Sequence, residues 1–375
     1  MTTPDRTRPL AAVAIALVAL ALVALAGDLD PPGGTTTPTM KTLDEVEPRT
    51  IISAANTPGD ADSTFKITAP GSYYLTDNAT GEAGKHGIEI TSGNVSIDLM
   101  GFTLSGVPGS LDGIKTTVLG LQNIAIRNGS IVGWASNGID IGLMASENSI
   151  VEDIRASNNT LIGIRIGHNT VLNKCVCSDN QSGVISGVAC TFTECTVRNC
   201  VQGLSAGFGG VVSNCVAHDN GTNGFVVSTG TITNCTAAFN GLNGIQAQSG
   251  TTVIGCTAHS SGGSGFWANS DCIFLNNTSR ANTQAGIFVF ADKCRIEGNN
   301  CLENTTGIEI DGAANYIVRN VCTDNTTNFD FASDNRFGEI VNHKLSSTAP
   351  ISGDSAPGAM GTTDPWANFA NQSPP

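Results

Sequence analysis

Three consecutive stretches share one pattern: CVAHDNGTNGFVVSTGTITN over residues 215–234, CTAAFNGLNGIQAQSGTTVIG over 235–255 and CTAHSSGGSGFWANSDCIFLN over 256–276. In each, a Gly followed by an apolar residue comes nine residues after the opening Cys. The pair recurs along the chain at Gly87-Ile88, Gly113-Ile114, Gly138-Ile139, Gly163-Ile164, Gly183-Val184, Gly203-Leu204, Gly224-Phe225, Gly244-Ile245, Gly265-Phe266, Gly286-Ile287 and Gly307-Ile308, then as Asn328-Phe329. The spacing is 20 to 26 residues, which indicates a repeat architecture.

Each repeat has the alternation of a strand and none has a helical period. The first and third positions after the Gly are mostly apolar, as in Ile164 and Ile166, while the second varies freely. Leucine-rich repeats require a Leu skeleton that is absent, and propeller blades need about 40 residues. The sequence therefore predicts an all-β protein, a single-stranded parallel β-helix of about twelve coils and about 58 Å in length.

Two further columns run through the repeats at fixed positions. One holds Cys175, Cys195, Cys215, Cys235 and Cys256 and then Asn277, Asn299 and Asn320; the other holds mainly Asn, at 180, 220, 240, 282, 304 and 325. Stacked amides can hydrogen-bond along the axis, and Asn tolerates the left-handed backbone of a turn. We expect the Cys column to point inward as small apolar side chains, with an occasional disulfide between coils as the alternative.

The chain resembles the right-handed parallel β-helix proteins of the pectin-lyase-like superfamily, in particular exported bacterial members of unassigned activity. The resemblance rests on the turns at Asn220–Phe225 and Asn240–Ile245 and on the segments Ile67–Leu75 and Val95–Leu104, and it covers about residues 51–341. It implies a right-handed coil and a polysaccharide as ligand or substrate. The Asn-Thr-Asp, Asp-Asp, Gly-His-Gly and Arg-x-Lys motifs of polygalacturonase-like relatives are absent, so the resemblance assigns no activity.

The composition argues against a nucleic-acid partner. Only 13% of the 375 residues are charged, and 18 Lys and Arg stand against 32 Asp and Glu, a net charge of −14. A nucleic-acid-binding surface needs a basic patch, so nucleic acid is excluded as a partner.

The N-terminal segment predicts export from the cytoplasm. Arg6 and Arg8 precede an apolar run over residues 10–26, a pattern typical of a secretory signal peptide. The alternative is an uncleaved membrane anchor, because 17 apolar residues lie at the lower limit for spanning a bilayer. We expect a secreted, periplasmic or cell-surface protein.

The remaining boundaries follow from composition. Residues 27–50 form a Pro/Thr/Gly-rich linker, 51–86 an N-terminal capping segment, 87–341 the β-helix and 342–375 a C-terminal tail. Two aromatic residues in the tail, Trp366 and Phe369, suggest a docking peptide.

The second and fourth residues after each Gly point outward, and the second residues form one column. At its start the charges alternate, over Glu89, Lys115, Asp140 and Arg165, which pairing between adjacent strands explains without function. At its end, acids and aromatics meet in a set that we call the acidic-aromatic patch: Trp267, Phe288, Phe290, Glu309, Asp311 and Asp330.

An acidic-aromatic patch suits a sugar, whose apolar face stacks on the ring while its hydroxyls bond to the acids. We predict that Trp267, Phe288, Phe290 and Asp311 bind a polysaccharide or cell-surface glycan. Glu309 and Asp330 are the candidate catalytic pair of a glycoside hydrolase or polysaccharide lyase, one strand spacing apart.

Several alternatives stay open for this patch. We expect no cofactor, with Ca²⁺ as a possible ligand of the clustered carboxylates. The tail containing Trp366 and Phe369 is a candidate cover for the patch. The other class of function is a non-catalytic structural or adhesive rod at the cell surface.

Overall fold

The computed structural model describes residues 47–142, 146–344 and 362–372. From Arg49 onward these residues belong to one compact unit. The predicted signal peptide or anchor (1–26) and most of the linker lie outside the described residues, so export stays a prediction. Within the described part, no helix is long and apolar enough to cross a membrane.

The described chain folds into two large parallel sheets and one small one, without helix. The predicted all-β parallel β-helix is confirmed. It has about fourteen turns, so the count of about twelve was too low. An added turn lies in the segment predicted as a cap, since Ser63–Ile67 pairs in parallel with His86–Ile90.

One sheet takes a single strand from each turn. Its thirteen strands are Ser63–Ile67, His86–Ile90, Ile114–Thr116, Ile139–Ile141, Ile162–Ile166, Ser182–Ser186, Gln202–Ala206, Phe225–Val227, Ile245–Ala247, Phe266–Ala268, Ala285–Val289, Thr306–Ile310 and Thr327–Phe331.

The other large sheet takes up to two strands from each turn. Its 26 strands are Thr50–Ile51, Gly71–Tyr74, Ala79–Thr80, Val95–Asp98, Thr103–Ser105, Ile124–Val132, Ile150–Ser157, Val171–Asn173, Val176–Ser178, Thr191–Thr193, Thr196–Arg198, Val211–Ser213, Val216–His218, Thr231–Thr233, Thr236–Ala238, Thr252–Ile254, Thr257–His259, Ile273–Leu275, Thr278–Arg280, Arg295–Glu297, Asn300–Leu302, Tyr316–Val318, Val321–Thr323, Arg336–Phe337, Ile340–Lys344 and Asn368–Gln372. A two-stranded sheet joins Leu121–Gln122 and Ser146–Glu147.

Identical positions of successive turns stack, and this builds the core. Leu172, Phe192 and Val212 are Cα partners in neighbouring strands and are fully buried. Each such side chain contributes about 1.5–3 kcal/mol through burial.

The inward amides form the predicted ladder. Asn277 Nδ2 donates to Asn299 Oδ1, and Asn299 Nδ2 donates to Asn320 Oδ1, both at 3.0 Å. In the second column Asn282 donates to Asn304 at 3.0 Å and Asn304 to Asn325 at 3.1 Å. All of these side chains are buried, so the ladder satisfies polar groups that have no access to water.

The backbone at the turns corrects the prediction of which residue adopts the left-handed conformation. The ladder Asn does not itself take the left-handed conformation; the residue before it does, as at Asp219 (φ 56°) and Phe239 (φ 53°). The left-handed residue keeps its side chain outside, and Phe239 is 57% exposed. The following side chain, Asn220 or Asn240, then enters the interior.

All twelve Cys are free thiols with buried side chains. In the predicted column the backbone N–H of Cys195 donates to the Cys215 sulfur at 3.4 Å, and that of Cys215 to the Cys235 sulfur at 3.4 Å. Burial raises the pKa of the Cys177 thiol well above its usual value. The interpretation as a core column is confirmed, and the disulfide alternative is not seen.

The tail adds a strand to the far end of the β-helix. Asn368–Gln372 pairs in parallel with Val321–Thr323 and with Ile340–Lys344, so it lies between them in the 26-stranded sheet. Phe290, Asp311 and Asp330, in or just after strands of the other large sheet, stay exposed. The described part of the tail therefore does not bury the acidic-aromatic patch.

Candidate functional site

Four consecutive strands of the 13-stranded sheet carry the acidic-aromatic patch. Trp267 pairs with Phe288, Phe288 with Glu309 and Glu309 with Asp330 as Cα partners, which is the predicted register. Phe290 follows Phe288 by two positions, and Asp311 follows Glu309 by two positions, on the same face.

Strand alternation explains why these side chains point outward. Phe266 and Ala268 are fully buried on either side of the half-buried Trp267. Ile308 and Ile310 bracket Glu309 in the same way. A one-residue shift in register would bury the polar row and is therefore strongly disfavoured.

The aromatic part of the patch is a stacked pair. The rings of Trp267 and Phe290 lie 6.0 Å apart between centroids at an interplanar angle of 18°. Phe290 is 59% exposed, so a hydrophobic surface faces solvent. Phe288 does not join this stack; it lines a shallow depression with Glu309 and Asp311.

Hydroxyl and amide side chains complete the depression. Its other lining residues are Ser264, Thr283, Gln284, Thr305 and Thr306. Sequence reasoning missed them because they lie at or before the starts of the strands, outside the repeated outward column. A cleft that joins an aromatic wall, hydroxyls and carboxylates suits a ligand that is apolar on one face and rich in hydroxyls at its edge.

Glu309 is the electrostatically distinctive residue of the patch. Partial burial raises the pKa of its carboxyl above the ordinary 4.5, and the charges of Asp311 and Asp330 raise it further. A carboxyl in this setting holds a proton at a higher pH than an exposed one.

Replacing Glu309 by Gln is expected to change the pH dependence of stability. Because the pKa of Glu309 is higher in the folded than in the unfolded protein, the folded state binds more protons in the window above about pH 4.5. Wild-type stability therefore falls, relative to Glu309→Gln, as the pH rises through that window. Urea midpoints measured from pH 4 to 8 test this.

The Asp311→Asn variant gives the matched comparison. Asp311→Asn removes one charge that raises the pKa of Glu309. The Glu309→Gln substitution should therefore change the pH dependence of stability less in the Asp311→Asn protein than in wild type. An effect of Glu309→Gln on stability that is constant across this pH range would contradict the account.

A bound Ca²⁺ ion was the alternative to the expectation of no cofactor, with the clustered acids as its ligands. Among the residues that the structure describes, no group of three or more His, Cys, Asp and Glu side chains is arranged to hold a metal ion. The role of Ca²⁺ stays a question for the binding experiment below.

Charged side chains at the start of the outward column form ion pairs between adjacent strands. Lys66 lies 2.9 Å from Glu89, Lys115 contacts Asp140, and Arg165 lies 3.8 Å from Asp140. Ion pairing is thus confirmed between Asp140 and both Lys115 and Arg165, while Glu89 pairs with Lys66 on the preceding coil.

Burial of the acids in this row was not predicted. Glu89 is 5% exposed and Asp140 is 4% exposed, although both belong to the outer face. Neighbouring side chains cover these acids: Lys66 and Thr117 contact Glu89, and Lys115 and Arg165 contact Asp140.

Comparison with known proteins identifies the fold. The sequence matches the family model described as a right-handed β-helix region, over residues 185–322 and 229–348. No curated protein matches the chain at a significant level.

Solved structures are similar over most of the chain. The A-module of a mannuronan C-5 epimerase from Azotobacter vinelandii has 14% sequence identity and a TM-score of 0.53, covering 71% of this chain and 90% of that module. A tailspike protein of the E. coli bacteriophage HK620 has 12% identity and a TM-score of 0.48, covering 82% and 70%. At these identities the likeness concerns the fold alone. The chain therefore has a right-handed parallel β-helix fold.

Proposed function

We propose that the protein binds a polysaccharide at the acidic-aromatic patch. The observation that carries this is the stacked, solvent-facing pair of Trp267 and Phe290 beside the depression that contains Glu309. A contiguous apolar patch on a protein surface is often a binding site. The similar A-module is named for an epimerase of mannuronan, which is a polysaccharide, and its shared fold is compatible with this proposal.

The two parts of the patch act on different faces of a sugar ring. The apolar face, which carries C–H groups, packs on the electron-rich face of Trp267 or Phe290. The ring hydroxyls point sideways and donate to Glu309, Asp311 or Asp330, all on the same face of the sheet. The long axis of the β-helix lets an extended chain contact several coils at once.

The raised pKa of Glu309 favours a second candidate function, cleavage of a glycosidic bond. A protonated Glu309 can donate its proton to the oxygen of the leaving sugar, which is the role of the general acid. Asp330 is its Cα partner on the next strand, one strand spacing of roughly 4.8 Å away, and carboxyls on adjacent strands can reach the separation of about 5 Å that retaining glycosidases use. In that role Asp330 would attack the anomeric carbon or stabilise its positive charge.

Binding to a panel of neutral and acidic glycans tests the proposal. We expect at least one polysaccharide to bind wild type, and Trp267→Ala to weaken it about tenfold or more through loss of the stack. Phe208→Ala is the matched control, because Phe208 is also exposed (64%) but lies outside the patch. Each measurement is made with added Ca²⁺ and with chelator.

The outcomes separate the candidate functions. Binding without turnover supports the binding function alone, and turnover lost in Glu309→Gln supports the hydrolytic role. Absence of binding to every glycan, or equal binding by Trp267→Ala and wild type, would overturn the proposed site. The protein would then be a structural rod.

A further inference from the structure

The tail strand is inserted into the sheet, not appended to it. In the regular register, Val321 would pair with Val341 one turn later. Instead Val321 pairs with Phe369, and Phe369 pairs with Val341. We call the space between Val321–Thr323 and Ile340–Lys344, which the tail fills, the tail slot.

Asn368 continues the interior amide ladder inside the tail slot. Its Oδ1 accepts from the backbone N–H of Asn320 at 3.0 Å and from Asn320 Nδ2 at 3.2 Å. Its Nδ2 donates to the carbonyls of Ile317 and Gly338, both at 3.2 Å. Asn368 is fully buried, so the slot recognises an amide at this position.

The residues before Asn368 make the second set of contacts. The Arg319 guanidinium lies over the Trp366 ring at 4.1 Å, and Arg319 Nε donates to the Pro365 carbonyl at 3.1 Å. Gly338 is required beneath them, because a Cβ there would lie 1.9 Å from the Trp366 carbonyl oxygen. The tail slot therefore matches one short segment in three ways. Gly338 leaves room for its backbone, Arg319 packs on its Trp ring, and the amide ladder bonds to its Asn side chain.

The residues that fill the tail slot all belong to the segment 362–372. In the sequence, this segment is separated from the last strand of the β-helix by a linker. Between Lys344 and Thr362 lie 17 residues rich in Ser, Gly and Pro, a linker composition. Such a length spans on the order of 55 Å when extended. Nothing in the slot distinguishes a tail of the same chain from the tail of another copy.

We propose that the tail slot also accepts residues 362–372 of a second copy of this chain, so that two copies can be joined by exchange of the tail strand. The linker gives the chain's own tail an effective concentration of about millimolar. In dilute solution each tail slot is accordingly filled by the tail of its own chain. Exchange between copies requires either a high protein concentration or an unoccupied slot.

Two full-length variants test the exchange by complementation. Gly338→Val blocks the slot and releases an intact tail, while Trp366→Ala with Asn368→Ala disables the tail and leaves an intact slot. Each variant alone should be a monomer of one 38.4 kDa chain, and an equimolar mixture should contain a dimer with one copy of each, by native mass spectrometry. A mixture that stays monomeric at micromolar concentration overturns the proposal.

A peptide experiment tests the slot without relying on the Gly338→Val variant. The synthetic peptide of residues 362–372 should bind saturably to the chain with the disabled tail, and a scrambled peptide should not. Wild type should bind the peptide at least tenfold more weakly, because its own tail occupies the slot. The proposal is contradicted if the native and the scrambled peptide bind equally well, or if neither of them binds.

Discussion

Replacing Asn299 by Leu is expected to destabilise the protein by at least about 3 kcal/mol. Asn299 Oδ1 accepts from the backbone N–H and Nδ2 of Asn277, and its Nδ2 donates to Asn320 Oδ1 and the Phe274 carbonyl. Leu has a similar volume but no polar group, so these partners lose their hydrogen bonds in a site that water does not reach. An unsatisfied buried group costs about 1–3 kcal/mol.

Asn173→Leu is the matched control for this prediction. Asn173 lies in a strand of the same sheet but its side chain is half-buried on the outer face. Its replacement should change stability by less than about 0.5 kcal/mol. Denaturant unfolding gives both values, and equal stability of Asn299→Leu and wild type would show that the ladder contributes nothing.

Hydrogen exchange should locate the damage. Each coil of a solenoid contacts only its neighbours, so the loss of one rung acts mainly on adjacent coils. We expect faster exchange in the strands next to Asn299, at Thr278–Arg280 and Val321–Thr323, with unchanged protection at Val95–Asp98.

Trp134→Ala is expected to cost about 3–5 kcal/mol. Trp134 is fully buried, and its Nε1 donates to the Leu104 carbonyl at 3.2 Å. The ring fills space left by glycines in three early coils. A Cβ at Gly81, Gly87 or Gly113 would lie 2.3, 2.6 or 2.9 Å from an atom of this ring.

A double-mutant cycle with Gly81→Ala isolates this packing. Gly81→Ala alone places a methyl group against the ring and should destabilise the protein, but after Trp134→Ala the methyl enters a cavity. The combined loss should therefore be smaller than the sum of the two single losses. Trp267→Ala, at a half-buried Trp, serves as the control and should cost much less; additive losses in the cycle would contradict the packing.

The outward column shows how far the sequence predicts this fold. The repeated Gly–apolar pair fixes the period, and strand alternation fixes the face, so the row from Glu89 to Asp330 was predicted in its correct register. The buried amide ladder and the thiol column followed from the same period. These features depend on local spacing, which the sequence contains.

Features that depend on departures from the repeat were not predictable. The burial of Asp140 results from the side chains of Lys115 and Arg165 that contact it, and strand alternation does not give how closely such side chains pack. The insertion of Asn368 beside Asn320 joins segments 48 residues apart along the chain. The raised pKa of Glu309 depends on how deeply it is buried, which alternation alone does not give.

Fluorescence of Trp267 tests the central claim most directly. In a Trp366→Phe background the remaining tryptophans are Trp267, in the patch, and the fully buried Trp134. Titration with a glycan that binds should change the emission saturably, with a midpoint equal to the dissociation constant measured independently. The change should vanish in Trp267→Phe. An unchanged emission while the glycan binds, or the same change after Trp267→Phe, would contradict binding at the acidic-aromatic patch.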